Sequence, residues 1–158
     1  MRPGSARSFL AHVPPSVFFF ACLLAGWSLD RSWRFELGLD SLLLRLVLGG
    51  SLIALAAALG VWSLMLFRRA RTTPLPFGTP TALLTSGPFR FFRNPLYVAL
   101  GLVLAAFSAL LDNGWILAFL PLLALALDRC IVPGEESRLR ELFGETYIAY
   151  CGRTRRWL

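Results

Sequence analysis

The sequence predicts an all-α, polytopic membrane protein: a single domain of about four transmembrane helices with a C-terminal amphipathic helix. Three observations carry this. Of the 158 residues, 56% are hydrophobic, and the mean hydropathy is +0.63, beyond the range of an average soluble domain. The apolar residues gather into four blocks, at about 14–29, 41–67, 95–111 and 114–131. Each is near the length a helix needs to cross roughly 30 Å of hydrocarbon, about 17–25 residues. Nearly all charges fall between the blocks.

The first span follows Arg2 and Arg7, a pattern that a cleaved signal peptide shares. No small-x-small cleavage site follows it, and Trp27 sits near its end as an interfacial anchor would. It is read as retained. The second span is rich in small residues: Gly49, Gly50, Ser51, Ala54, Ala56, Ala57, Ala58 and Gly60. Such residues let a neighbouring helix backbone approach closely. Arg45, one turn inside its outer end, is expected to snorkel to the surface.

The third span starts at Pro95, whose missing N–H costs nothing in a first helical turn. The proline pushes Asn94 out of helical geometry. Arg93 and Asn94 are therefore expected in irregular backbone at the mouth of the span, with Tyr97 half a turn inside. Asp112-Asn113-Gly114 is a turn signal that makes spans three and four an antiparallel hairpin. After span four, Pro133-Gly134 is expected to break the chain and open the C-terminal segment 133–158. Leu139, Leu142, Phe143 and Tyr147 recur at helical spacing there, predicting an amphipathic helix over about 135–150. Glu135 and Glu136 suit its start, at the positive end of the helix dipole, while Gly144 is a place to bend or divide. In the tail, Trp157 is expected to anchor at the membrane interface.

Every basic residue is arginine. Arg2 and Arg7 precede span one; Arg68, Arg69, Arg71, Arg90 and Arg93 lie between spans two and three; Arg129, Arg138, Arg140, Arg153, Arg155 and Arg156 follow the apolar part of span four. On the opposite side Arg31 and Arg34 stand among acidic residues. The positive-inside rule then puts both termini and the central loop in the cytoplasm. The net charge of +7 is thus explained by topology and anionic headgroups rather than nucleic acid. A His/Cys metal site is not expected: the single histidine is His12, and Cys22, Cys130 and Cys151 form no Cys-x-x-Cys pair.

The densest cluster of chemistry is Gly87-Pro88-Phe89-Arg90, followed by Arg93-Asn94-Pro95-Leu96-Tyr97. With Glu135-Glu136 and Phe143-Gly144-Glu145-x-Tyr147-x-x-Tyr150 downstream, this order resembles the isoprenylcysteine carboxyl methyltransferase family, which belongs with the membrane phospholipid N-methyltransferases. The resemblance covers about 79–158. It departs from the family's Arg-His-Pro-x-Tyr-x-Gly pattern at two places, with Asn94 for the histidine and Ala99 for the glycine. Asparagine hydrogen-bonds but does not titrate near neutral pH, so that position can hold a cofactor but not serve as a base.

The resemblance implies methyl transfer from S-adenosylmethionine (SAM) to a lipophilic or membrane-associated acceptor, in a bacterial cell membrane. Cofactor binding would fall to Arg93, Asn94, Pro95, Tyr97, Glu135, Glu136, Tyr147 and Tyr150. Arg129 and Arg156 would hold an anionic acceptor, and Glu135 would join them in catalysis. Isoprenylcysteine-type carboxylate O-methylation is the favoured reaction; phospholipid amine N-methylation and small-thiol S-methylation are alternatives. Two rival classes are a nicotinamide-dependent sterol reductase, normally a much longer chain, and a non-enzymatic membrane assembly or transport protein.

Overall fold

The structure is a computed structural model that describes residues 13–73 and 80–157. Arg2, Arg7 and His12 lie outside the described residues. Helix α1 spans Pro15–Ser32 and α2 spans Leu42–Arg69. A 3₁₀ turn at Gly87–Arg90 leads into α3, Pro95–Leu111. The last part runs through α4 (Gly114–Ala118), α5 (Leu120–Ala126), a π turn (Leu127–Ile131) and α6 (Val132–Cys151). Among the described residues there is no strand, only an isolated bridge between Phe92 and Arg155.

Two helical runs are long and apolar enough to cross a membrane by length and composition, Leu42–Arg69 and the near-continuous Gly114–Cys151. Pro95–Leu111 is apolar but shorter. Helix α1 has the length but closes on Asp30, Arg31 and Ser32. The exposed side of α2 carries Leu43, Leu46, Val47, Leu55 and Met65, a surface suited to hydrocarbon rather than to water.

The most extensive helix packing joins α2 to α3, rather than α3 to the run that follows it. Its seam on α2 is Gly49, Ala56 and Ser63, the buried residues of that helix. They recur every seven residues and therefore share one face. A methyl group at Gly49 would meet the Leu110 side chain and come within 3.2 Å of the Ala106 carbonyl. Gly50 and Gly60 face open space instead, so only one stripe of the small-residue set serves close approach. A second core joins Phe19 and Cys22 of α1 to Leu104, Ile116, Leu123, Leu127 and Ile131.

The Asp112-Asn113-Gly114 turn is built from hydrogen bonds. Asp112 takes a left-handed conformation, φ 50°, at the end of α3. The Asn113 side chain caps α4 by accepting from the Ile116 N–H at 3.1 Å. Its amide donates to the Gly26 carbonyl of α1 at 3.4 Å.

The structure adds to two expectations and corrects a third. Arg45 is not simply drawn to the surface: its Nη2 meets Asp112 Oδ2 at 2.8 Å, and its Nε donates to the Leu39 carbonyl at 2.5 Å. Pro133-Gly134 does not break the chain. The π turn at Leu127–Ile131 precedes the proline, and the helix runs on through it. A proline ring clashes with the carbonyl four residues back inside an α-helix; here Pro133 falls in the first turn of α6, directly after the widened turn. Lastly, the tail folds back onto the helices. The indole N–H of Trp157 donates to Asp128 Oδ1 at 2.8 Å, and Trp157 packs against the second core.

Candidate functional site

The site is assembled where the loop before α3 meets α6. Gly87, with φ 60°, admits the loop under α2; a methyl group there would lie 3.0 Å from the Trp62 indole nitrogen. Phe89 is buried against Phe67, ring centroids 5.5 Å apart and nearly perpendicular. The Tyr150 hydroxyl donates to the Phe89 carbonyl at 2.6 Å, fixing the loop to α6. The Arg93 N–H donates to the Arg155 carbonyl at 2.9 Å, fixing the loop to the tail. Asn94 then has φ −125° and ψ 60° before Pro95 starts α3, the irregular entry that the proline dictates.

These ties enclose a cavity of about 360 Å³, within the usual size range of small-molecule sites. Arg93, Asn94, Pro95, Tyr97, Glu135, Glu136, Tyr147 and Tyr150 all line it. Sequence reasoning missed Arg138 and Leu139 in the lining, as well as the apolar Leu83, Leu84 and Leu100. Arg129 and Arg156 are not among the lining residues. Arg129 is exposed, 3.6 Å from Asp128, and Arg156 stands behind the wall. Arg90 is exposed and also outside the lining.

The two glutamates differ in what they hold. Glu135 Oε1 accepts from the Tyr97 hydroxyl at 2.5 Å. Burial raises the Glu135 pKa against the opposing pull of that hydrogen bond, and the neighbouring Glu136 charge raises it further. Glu136 is 5% exposed and carries three guanidinium contacts within 3.2 Å. Arg156 Nε and Nη2 reach its two oxygens at 3.0 and 2.6 Å, and Arg93 Nη1 lies 3.2 Å from Oε1. The bond to Glu136 leads the causes that raise the Arg156 pKa. Arg156 also meets Asp128 at 3.2 Å. Asp128 escaped the sequence reading, although an acidic residue inside an apolar run is itself a flag.

Arg93 Nη1 donates to the Cys151 sulfur at 2.8 Å. Arg93 Nε and Asn94 Nδ2 are buried without a hydrogen-bond partner. Buried donors are nearly always satisfied, so the two orphans beside one cavity are open to an acceptor, a water or a bound group. Tyr147 and Tyr150 sit on the other wall, rings 6.1 Å apart and tilted by 49°. Burial raises both phenols above their ordinary pKa, so they serve as neutral surfaces. Gly144, with φ 49° and ψ −128°, kinks α6 just before them. Buried donors, a buried carboxyl group and aromatic faces together suit a ligand carrying both signs of charge and a planar ring.

The family model for phospholipid methyltransferases matches residues 44–146, well over half of the chain, and the chain belongs to that family. The match contains Arg93–Tyr97 and Glu135-Glu136 and stops short of Tyr147, Tyr150 and the tail. No curated protein and no solved structure matches the chain.

Proposed function

We propose that the protein transfers a methyl group from SAM to a lipophilic acceptor at a membrane. One observation carries this reading: eight residues from two separated stretches line one cavity, which also holds the two orphan donors, Arg93 Nε and Asn94 Nδ2. SAM, when bound, supplies an already activated methyl group, together with an ammonium and a carboxylate that need partners of opposite charge. Glu135, ionised, faces the cationic groups, and Tyr97 fixes its carboxylate. Arg93 and Asn94 donate to the carboxylate or to the adenine edge. Tyr147 and Tyr150 supply aromatic faces for the base or for the sulfonium. Glu136 is engaged with arginines and sets their positions.

These residues align the reactants and exclude water, which is most of what methyl displacement requires of a protein. Asn94 holds a hydrogen bond but moves no proton.

A carboxylate acceptor of the isoprenylcysteine type remains the reading favoured by the motif order. A phospholipid amine has its own support in the family match. Neither Arg129 nor Arg156 lines the cavity, and Arg156 is taken up by Glu136 and Asp128. A small thiol is the third acceptor class. The reading also includes four spans, one domain, a cytoplasmic C-terminal segment, and both termini on the cytoplasmic side of a bacterial inner membrane. The arginine distribution supports that orientation.

Calorimetry in detergent tests the cofactor: the purified chain should bind SAM, and Glu135→Gln should weaken binding by about tenfold, the scale of a lost charge-assisted contact. No binding by the folded protein would overturn the methyltransferase reading. Incubating lipid extracts with labelled SAM and purified protein then identifies the acceptor.

A further inference from the structure

Arg156 lies outside the cavity lining, yet it makes the most complete charge contacts near it. Its Nε and Nη2 form a fork on Glu136, and its Nη1 meets Asp128 Oδ1 at 3.2 Å. The next residue, Trp157, donates to the same Asp128 oxygen. The preceding one, Arg155, accepts from the Arg93 backbone. Arg156 is thereby held in place from both sides.

Across Glu136, Arg93 meets the carboxylate through Nη1 at 3.2 Å, and its Nε has no hydrogen-bond partner. A carboxylate pairs best with two parallel N–H groups of one guanidinium, and Arg156 already provides that fork. Arg140 is 4.0 Å away and is no substitute. Without Arg156, the buried Glu136 would lose its two-point partner, a costly state. Arg93 is then the guanidinium placed to replace it, and doing so would use its Nε edge.

We infer that Arg156 is a positioning residue: by saturating Glu136 it keeps Arg93 in one-point contact and frees the Arg93 Nε edge for the carboxylate of a bound SAM. The inference rests on the cofactor reading above.

The test measures binding of three ligands to the full chain in detergent: SAM, S-adenosylhomocysteine and 5′-methylthioadenosine. The last lacks the amino-acid carboxylate. Arg156→Gln should weaken the first two about tenfold, the size of a charge-assisted hydrogen bond, and leave the third within about twofold. Adding Glu136→Gln should restore SAM and S-adenosylhomocysteine binding to within about threefold of wild type, because nothing then competes for Arg93. Arg156→Lys keeps the charge without the fork and should fall between. If Arg156→Gln fails to fold, judged by elution and thermal midpoint, Arg156→Lys is tested for the same ligand contrast. Equal losses for all three ligands, no loss at all, or no recovery in the double variant would overturn the inference. A folded wild type that binds none of the three removes the cofactor reading and the inference with it. Wild-type binding without the ligand contrast removes the inference alone.

Discussion

Near each end of α3 a buried acidic residue is tied to an arginine from a distant part of the chain, but the two clusters are filled to different degrees. At the far end, Asp112 accepts from the Leu37 and Leu39 N–H groups at 3.0 and 3.2 Å and from Arg45 at 2.8 Å. Arg45 spends its Nε on a carbonyl. At the near end, Glu136 is equally well supplied, yet Arg93 Nε and Asn94 Nδ2 are left over. Burial and ion pairing are common to both places, so neither distinguishes a site from a joint. Unused hydrogen-bonding capacity does, because an orphaned buried donor is costly unless a ligand satisfies it.

The sharpest way to break this contrast is to strip each end in turn. Asp112→Ala leaves Arg45 Nη2 and two backbone N–H groups without their acceptor. Thermal unfolding in detergent should register about 3 kcal/mol of lost stability, typical of a severed buried pair, while the folded fraction keeps its SAM affinity. Arg93→Ala should do the reverse. SAM affinity should fall on the order of tenfold to a hundredfold, and the thermal midpoint should move less than for Asp112→Ala. A loss of SAM binding in Asp112→Ala would erase the distinction between the two ends.

A smaller effect comes from pH. The folded protein raises the Glu135 pKa, so the carboxyl group is neutral at the acid end of the range. As pH rises through that raised value Glu135 ionises, and SAM affinity should increase severalfold; a titration of Glu135→Gln should be flat over the same window. The linked stability has the opposite sign. The folded state holds the Glu135 proton more tightly than the unfolded state, so this residue's contribution falls as pH climbs from the ordinary glutamate value through the raised one. A ligand-free unfolding series in pH checks that direction.

Much of the cavity was legible in the sequence because its parts are local signals. Pro95 dictates where α3 begins, and the structure starts the helix there. Arg93, Asn94 and Tyr97 follow from that start, and the glutamates and tyrosines are spaced along one later helix. The illegible parts are pairings between residues far apart in the chain. Arg45 with Asp112 and Arg156 with Glu136 and Asp128 depend on how the helices fold back on one another, which periodicity does not encode. The π turn was hidden for another reason. Pro133-Gly134 is a breaker in isolation, and here it falls in the first turn of α6, directly after the widened backbone.

The length of the last helical run has a consequence of its own. Gly114–Cys151 comprises 38 residues, about 57 Å at the helical rise, against roughly 30 Å of hydrocarbon. Glu135 lies about 21 residues along the run, some 32 Å from its start. That is one hydrocarbon thickness from the Asp112 turn. A run crossing the bilayer from that turn would bring the cavity to the seam between oil and water. A water-soluble methyl donor and an oil-soluble acceptor could then meet there with neither leaving its own solvent, as in phase-transfer chemistry. Turnover in such an arrangement follows the surface density of acceptor in the membrane, not its bulk concentration.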